Sequence, residues 1–250
     1  MKEGTRFYRC RRCGTYVSAA PYLKEIYEYA GPDESDGVTG ESVLARRGFR
    51  WSVILADIMR VAPPPATLLD VGTGKGGFVR LARDRGYDAE GVTMSDKEVA
   101  FARRHLGIPL RLGTLDAVDT GEYDVVCANN VIEHVPDPGR FLGQMAARTR
   151  PGGLVAVTTP STRSYQRLLL GARRWRMVRS EHLSVLSPAG LHGLALACGL
   201  EPVLHVTTSV TFRGLRRLGP VAHPVRRFLF AAIRLAGVGG DQTLIARKPS

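Results

Sequence analysis

The chain has 250 residues, 44% of them hydrophobic and 23% charged, with a formal net charge of +12. These values are typical of a globular protein with one large domain, and they exclude a mostly disordered or collagen-like chain. No apolar run approaches the roughly 20 residues of a membrane span, and four cysteines are too few for a disulfide framework, so we expect a cytoplasmic protein.

The positive charge lies mainly in the last third of the chain. Residues 160–250 contain 14 basic and 3 acidic residues, whereas residues 61–159 contain 11 basic and 12 acidic residues. A basic excess confined to one region predicts one basic face, which suits an anionic substrate, RNA or a membrane surface. A solvated basic surface without a partner explains the same count, and both interpretations stay open.

The first 40 residues differ from the rest of the chain. They contain the pair Cys10 and Cys13 and a turn-rich run, GPDESDG, that ends at Gly37. We expect an irregular N-terminal segment that ends in a linker. Residues 41–61 then have the apolar spacing of a helix, which the prolines at 63–65 terminate. The predicted division is therefore an N-terminal segment, 1–40, and a main domain, 41–250.

From residue 67 onward, short apolar runs alternate with helical stretches. The predicted strands are 67–71, 89–92, 110–112, 123–128 and 154–158, and the predicted helices are 76–84, 97–106 and 140–149. This rhythm predicts an α/β fold with a parallel sheet and helices on both faces. A helix over 188–198 follows, and two late strands, 200–210 and 243–246, are expected to pair antiparallel at one edge.

The run LLDVGTGKGGF, residues 68–78, is the strongest indication of a ligand. A buried strand is followed by four glycines before a helix, and glycine allows the backbone to turn tightly and to approach a ligand closely. The following helix offers free N–H groups at the carboxyl edge of the sheet. The spacing fits a dinucleotide motif and also a G-x-G-x-G turn, and a tight turn without a ligand is the third interpretation.

Five motifs in order resemble those of one family. The runs are LLDVGTGKGGF, GVTMSDKEVAFAR, LRLGTLDAV, YDVVCANNVIEHVPDPGRFL and RPGGLVAVTTP. Together they resemble class I S-adenosylmethionine-dependent methyltransferases, and most closely the branch of ubiquinone and small-molecule methyltransferases. The resemblance implies a Rossmann-like, seven-stranded, mostly parallel sheet in the order 3-2-1-4-5-7-6, with an antiparallel last strand. It also implies S-adenosyl-L-methionine as the cofactor.

The same resemblance implies ten cofactor-binding residues. They are Asp70, Gly72, Thr73, Gly74, Thr93, Met94, Thr114, Leu115, Asp116 and Asn129. Asp70 is expected near the methionyl amino group, residues 72–74 along the cofactor, and residues 114–116 beside the adenine. Asn129 is expected at the edge of the methionine and substrate side. Thr93 departs from the family, which usually has an acidic residue at this strand tip to bind the ribose hydroxyls.

Two histidines are the candidate catalytic bases. Methyl transfer to oxygen or carbon is assisted by a general base, and histidine suits that role near neutral pH. His134 and His182 lie in segments that are expected to reach the carboxyl edge of the sheet, where Glu133 is expected to support them. A structural role for His134, in which it orients its loop, stays open. No metal site is predicted.

Two segments outside the main motifs have several interpretations. The run FYRCRRCGTYV resembles the second knuckle of a zinc module found ahead of some methyltransferases of this branch, but structural zinc needs four ligands. Bound zinc, a redox pair, and a metal-free remnant or dimer contact are the alternatives for Cys10 and Cys13. The segment 213–237 combines arginines with apolar residues at helical spacing. It is interpreted as a lid, a membrane-surface helix, or a core-covering insert between the last two strands.

The sequence therefore predicts a methyltransferase that acts on a small organic acceptor. O-methylation in secondary metabolism is the leading interpretation. An RNA methyltransferase that uses the basic last third, and a non-catalytic binding module, are the alternatives. A homodimer and a peripheral membrane contact are both compatible with the sequence.

Overall fold

The computed structural model describes residues 6–19, 39–118, 123–171, 182–207 and 222–250. The predicted linker after residue 19 and the first part of the basic segment, residues 213–221, lie outside the described residues. Within them, the chain forms one seven-stranded sheet flanked by helices and one three-stranded sheet.

The helices and strands alternate along the main domain. The helices are α1 (Gly40–Met59), α2 (Gly77–Arg83), α3 (Asp96–Leu106), α4 (Pro138–Arg148), α5 (Tyr165–Leu170), α6 (Pro188–Ala197) and α7 (Ala222–Leu235). The strands are β1 (Phe7–Arg9), β2 (Tyr16–Ser18), β3 (Thr67–Val71), β4 (Asp88–Thr93), β5 (Arg111–Leu112), β6 (Tyr123–Asn129), β7 (Thr149–Pro160), β8 (Ser184–Val185), β9 (Glu201–Thr207) and β10 (Asp241–Arg247). Two 3₁₀ turns, Leu115–Ala117 and Ile132–His134, follow β5 and β6.

Polar side chains determine where several helices begin. Thr39 caps α1, Ser95 caps α3, Asp137 caps α4 and Ser187 caps α6, each by accepting a hydrogen bond from a backbone N–H in the first turn. Such caps satisfy N–H groups that have no partner inside the helix. Proline occupies the first position of both α4 and α6, where its missing N–H costs nothing.

The large sheet has the strand order β5-β4-β3-β6-β7-β10-β9, and β10 runs antiparallel to both of its neighbours. Counted from β3, this is the order 3-2-1-4-5-7-6, so the predicted fold class is confirmed. The direction of the connections reverses between β3 and β6. Ligands of open α/β sheets bind at such a reversal, beyond the carboxyl ends of the strands.

The core lies on both faces of this sheet. Leu68 belongs to the cluster beneath α1, α2 and α3, whereas its neighbour Leu69 belongs to the cluster beneath α4 and α6. Both leucines are fully buried. Consecutive strand residues point to opposite faces, so a strand covered on both sides needs apolar residues on both of its faces, and Leu68 and Leu69 supply them in β3.

The N-terminal segment is more regular than the sequence suggests. Within residues 6–19, β1 and β2 form an antiparallel hairpin, and β2 also pairs with β8, with Tyr16 opposite Val185. The hairpin turns at Gly14, which has a φ of 78°. Strands of three residues leave no periodic pattern, and the partner strand lies far along the chain, so the sequence predicts an irregular segment instead.

The basic segment contains a helix on the surface of the molecule. Arg234 of α7 donates to the carboxylate of Asp57 on α1, and Phe230 meets Phe49 of α1 edge to face at 6.0 Å. Phe228 and Leu235 are 72% and 92% exposed. Of the α7 side chains that are described, those of residues 228–235, none is fully buried and four are partly buried. The lid, membrane-surface and core-covering interpretations of this segment stay predictions. In the described part of the chain, every helix is too short or too polar to span a bilayer.

Candidate functional site

The glycine turn bends sharply at the carboxyl end of β3. Gly72, Gly74 and Gly76 have φ values of 65°, 59° and 77°, which residues with a Cβ rarely adopt. The N–H groups of Gly72 and Thr73 donate to the carbonyl of Val92 at 2.9 and 3.1 Å, so the turn is tied to the tip of β4. The turn therefore presents backbone without side chains at the carboxyl end of β3, where the connections between strands change direction across the sheet.

A cavity of about 500 Å³ opens beside this turn, at the carboxyl ends of β3, β4 and β6. Its wall includes seven of the ten residues predicted to bind the cofactor: Gly72, Gly74, Thr93, Met94, Thr114, Leu115 and Asp116. The candidate base His134 also lines the cavity. Asp70, Thr73, Asn129 and His182 are outside the lining and are buried or partly buried.

Asp70 is a buried carboxylate at the end of β3. The side-chain amide of Asn129 donates to its Oδ1 at 3.1 Å, and the Cys127 thiol lies at 3.5 Å. Burial raises the pKa of Asp70 to about 6, against the opposing effect of the Thr73 side chain and of these two hydrogen bonds. A cationic group placed next to this carboxylate would restore its charged form, because an opposite charge stabilises the ionised state.

Beside the tip of β4 lies a carboxylate of α3 that the sequence analysis did not predict. The hydroxyl of Thr93 donates to Oε2 of Glu98, in the first turn of α3. Glu98 lines the cavity, and its Oε1 lies 3.5 Å from the position that a Cβ on Gly74 would occupy. The run Ser95 to Glu98 has the S-x-x-E spacing of a capping box, and that spacing was an available signal for a side chain at this edge.

The far wall of the cavity combines apolar and polar groups from two elements. Thr114 caps the short turn Leu115–Ala117, with its Oγ1 accepting from the Asp116 N–H at 3.3 Å. The Asp116 carboxylate accepts from the amide of Gln144 on α4 at 3.2 Å. Phe141 of α4 also lines the cavity. This wall suits a flat heteroaromatic ring with polar edges.

Beyond β6, three potential ligands or bases lie together. Ligand atoms of Glu133, His134 and His182 are all within 4.8 Å of one another. The two imidazole rings are 4.9 Å apart in an edge-to-face arrangement. His182 is brought here because the N–H of the next residue, Leu183, donates to the carbonyl of Glu133 at 2.8 Å. The two candidate bases are therefore neighbours, although 47 residues separate them in the sequence.

Glu133 is the most deeply buried member of this cluster, with 1% of its surface exposed. Its oxygens accept hydrogen bonds from Asn130 at 3.0 Å and from Thr159 at 2.9 Å. Burial raises the pKa of Glu133, while the charge of nearby His134 acts in the opposite direction. Two imidazoles and a carboxylate at this spacing can hold a divalent cation as well as a proton, a possibility that the separate sequence positions conceal.

The loop after β6 is held from outside the sheet. Asn130 has a φ of 59°, in the left-handed region, and lines the cavity. A guanidinium nitrogen of Arg50, on α1, donates to its side-chain oxygen. The same Arg50 nitrogen lies 3.1 Å from the carboxylate of Asp241, at the start of β10. The sequence analysis assigned no role to Arg50 or Asp241.

The cysteine pair lies in the turn of the N-terminal hairpin, away from the cavity. Gly14 donates to the Cys10 carbonyl at 2.9 Å, and the Ser187 hydroxyl at the start of α6 donates to the Cys13 carbonyl. A hydrogen bond from the Thr15 side chain lowers the pKa of Cys13 most. Among the described residues, no group of three potential metal ligands includes either cysteine. Zinc, redox and metal-free roles stay predictions.

These features fit an adenosyl sulfonium donor. The buried Asp70 matches its ammonium group, the Thr93 and Glu98 pair matches its ribose hydroxyls, and the bare backbone at Gly74 leaves room for close approach. The buried Thr73 hydroxyl lies beside the Asp70 carboxylate and acts to lower its pKa. The antiparallel β10 also differs from the dinucleotide-binding order 3-2-1-4-5-6. Fold and site together define a class I S-adenosylmethionine-dependent methyltransferase.

Comparison with known proteins agrees with this class. The chain belongs to the methyltransferase domain family, which it matches over residues 45–205. It is 37% identical over 134 residues to the ubiquinone biosynthesis O-methyltransferase of Paramagnetospirillum magneticum, covering 50% of this chain and 51% of that protein. It is 31% identical over 147 residues to the Aeromonas salmonicida protein of the same name, and the match covers 53% of this chain and 62% of that protein. The chain thus spans about half the length of the first of these curated relatives.

Solved structures share the fold at low sequence identity. A Haloferax volcanii methyltransferase, solved in complex with the Trm112 methyltransferase activator, superposes with a TM-score of 0.62 at 19% identity, covering 86% of this chain and 96% of that one. The geranyl diphosphate C-methyltransferase of Streptomyces coelicolor superposes with a TM-score of 0.61 at 18% identity, and the match covers 92% of this chain and 98% of that one. The latter was solved with Mg²⁺, geranyl diphosphate and S-adenosyl-L-homocysteine.

Proposed function

We propose that this protein transfers the methyl group of S-adenosylmethionine to a hydroxyl of a small organic acceptor. One observation carries the proposal: His134 lines the donor cavity and at the same time contacts His182 and the buried Glu133. A proton-accepting imidazole therefore stands where the donor cavity meets the loop after β6. The names of the curated relatives, which are O-methyltransferases, support the choice of oxygen.

Once bound, S-adenosylmethionine supplies a methyl group that its sulfonium already activates. The protein's part is to position the acceptor and to remove its proton. Asp70 and Glu98 would hold the polar ends of the donor. His134 would accept the proton of the acceptor hydroxyl at an imidazole nitrogen, and His182, 4.9 Å away ring to ring, would orient it or share the positive charge.

The chemistry of this cluster supports the choice of acceptor class. A buried carboxylate and two histidines suit a phenol or another weakly acidic hydroxyl, which needs a base before it attacks. A role in secondary metabolism and a cytoplasmic location remain parts of this proposal. The RNA alternative rests on the charge of residues 160–250, and no group of stacked exposed aromatics in the described residues adds to it.

Two measurements test the proposal. S-adenosylmethionine should raise the melting temperature by mass action, since it binds the folded chain. Methyl-labelled donor should then label members of a panel of phenols and catechols, with an oligoribonucleotide and an amine as comparison acceptors. Labelled RNA or labelled amine alone would overturn O-methylation. A melting temperature that responds to RNA and not to S-adenosylmethionine would favour a non-catalytic binding module.

A further inference from the structure

Arg50 connects three separate parts of the chain at the acceptor side of the cavity. It lies on α1, and one of its terminal nitrogens donates to Asn130, in the loop after β6. The same nitrogen is 3.1 Å from the carboxylate of Asp241 at the start of β10. The Asp241 side chain is 6% exposed and that of Arg50 is 33% exposed, so this is a largely enclosed ion pair rather than a surface one.

The contact with Arg50 determines how the Asn130 amide is oriented. The backbone N–H of Asn130 donates to the Thr158 carbonyl at 2.8 Å, and its side-chain NH₂ donates to Glu133 at 3.0 Å. The side-chain oxygen must then face a donor, and Arg50 supplies it. Asn130 is the one described residue other than glycine with a positive φ, a conformation that its surroundings must maintain.

These contacts close into a ring around the strand tips. Glu133 accepts from the hydroxyl of Thr159 on β7 at 2.9 Å. Thr159 lies opposite Gln242 in the ladder of β7 and β10, next to Asp241. The ring therefore runs from Asp241 through Arg50, Asn130, Glu133 and Thr159 and back through the sheet. Arg50 is its one member outside the sheet and the loop after β6.

The next residue of α1 contacts the donor side. A Cβ on Gly77, at the start of α2, would lie 2.4 Å from the ring of Trp51, so α1 packs directly against the helix that follows the glycine turn. Consecutive residues of one helix thus touch the two halves of the site. Because consecutive residues of a helix are only about 1.5 Å apart along its axis, α1 links the glycine turn to the loop after β6 through two neighbouring side chains.

We propose that Arg50 is a positioning residue that holds the loop carrying Asn130, Glu133 and His134 in place at the acceptor side of the donor cavity. The inference rests on the proposed methyl transfer and deepens it. Arg50 acts through Asn130 and Glu133 and has no assigned contact with either substrate. Its loss should leave the donor bound normally, while the base is displaced from its working geometry.

The first test separates turnover from donor binding. Arg50→Gln should lower kcat about tenfold or more, because misplacement of a catalytic group by about 1 Å costs that much or more. The dissociation constant for S-adenosylmethionine should stay within about twofold. Arg50→Lys should recover part of the rate, since an ammonium can pair with Asp241 but cannot present the planar fork of a guanidinium. Arg60→Gln, at the exposed end of the same helix, is the control.

Two outcomes would overturn the inference. One is an Arg50→Gln enzyme with full kcat, and the other is a parallel loss of donor binding and turnover, as expected of a general structural role. A double-mutant cycle of Arg50→Gln and Asn130→Ala in urea unfolding tests the ring without any activity. The double variant should be less destabilised than the sum of the single variants. Additive free energies of unfolding would contradict the ring of contacts, even if the protein methylates its acceptor. If the protein methylates no acceptor, the energetic coupling between Arg50 and Asn130 should still be measurable, so the two proposals fail separately.

Discussion

Thr93, at the tip of β4, donates its hydroxyl to the carboxylate of Glu98, which comes from the first turn of α3. The strand tip itself has no acidic residue, and the helix supplies one instead. Ser95 begins that helix by accepting from the Glu98 N–H at 3.3 Å. The glutamate of a capping box usually returns to the cap, whereas this one reaches the strand tip and the cavity.

Replacing Glu98 should weaken donor binding. Hydrogen bonds to a charged group contribute about 1.5 to 3 kcal/mol, so Glu98→Ala should raise the dissociation constant for S-adenosylmethionine about 10- to 100-fold by calorimetry. Asp96→Ala is the matched control, since Asp96 lies exposed in the same helical turn and does not line the cavity. Unchanged binding by the Glu98 variant would assign the ribose hydroxyls to other groups.

A methyl group at Gly74 should interfere with the donor more than with the fold. The φ of 59° makes Gly74→Ala cost about 1 kcal/mol of stability, and the new Cβ would face the cavity near Glu98. Gly107→Ala is the control, because Gly107 has a φ of 66° and nothing within 4 Å of the added atom. We expect similar melting temperatures for the two variants and a loss of donor affinity only for Gly74→Ala.

Gly72 is a less selective position for this test. A Cβ there would lie 2.6 Å from a methyl group of Val131, so Gly72→Val would push against the loop after β6 as well as occupy the cavity. Loss of binding in that variant would combine both effects. The structure therefore favours Gly74 over Gly72 as the probe of backbone approach.

The raised pKa of Asp70 predicts a pH dependence of stability. In the folded chain this pKa is about 6, against about 3.9 in an unfolded chain. The folded state binds the Asp70 proton more tightly than the unfolded state does. The stability that protonation of Asp70 contributes is therefore complete below about pH 4 and is lost as the pH rises through 6. Asp70→Asn should raise the free energy of unfolding of the ligand-free protein by roughly 2 to 3 kcal/mol at pH 7.5, and by little near pH 4. Urea unfolding at the two pH values measures this.

The affinity for the donor should depend on pH in the opposite direction to the stability of the ligand-free protein. The ammonium group of S-adenosylmethionine favours the ionised carboxylate, so the affinity of the unmodified protein should fall as the pH drops below 6. Calorimetry from pH 5 to 8 tests this, and the slope should disappear in Asp70→Asn. A slope that persists in the variant would mean that another group titrates.

The two candidate bases should affect turnover and not donor affinity. Removing a general base typically costs a factor of 10² to 10⁴, so His134→Ala or His182→Ala should lower kcat about 100-fold. His192→Ala, at an exposed position on α6, is the control. Full rates in both variants would exclude a base role for either histidine and point to an amine acceptor that needs no deprotonation by the protein.

A divalent cation should compete with the proton for the same cluster. Ligand atoms of Glu133, His134 and His182 lie within 4.8 Å of one another, so Zn²⁺ or Mn²⁺ should raise the melting temperature, and the shift should be lost in His182→Ala. Turnover in the presence of a chelator then separates the two roles. An unchanged rate supports a base, and a rate abolished by the chelator and restored by the metal supports a ligand set.

Local patterns in the sequence carry much of the fold. The apolar runs that predict strands 67–71, 89–92 and 123–128 correspond to β3, β4 and β6, with ends shifted by at most one residue. The glycine turn and the helix caps are also local signals, because they depend on a few consecutive residues. The two strands at residues 7–18 were not predicted, since each has three residues and β2 pairs with β8, which lies far along the chain.

The sequence by itself determined the α/β alternation and the glycine turn at the donor side, and the strand order was implied by the resemblance of its motifs to a known family. Only the tertiary structure decided that Glu98 stands beside Thr93, that His182 lies next to His134, and that Arg50 links Asn130 to Asp241. The physical reason is range: periodicity and turn chemistry act between near neighbours in the chain. The working groups of this site come from loops and helices that meet only where the parallel strands end at one edge of the sheet.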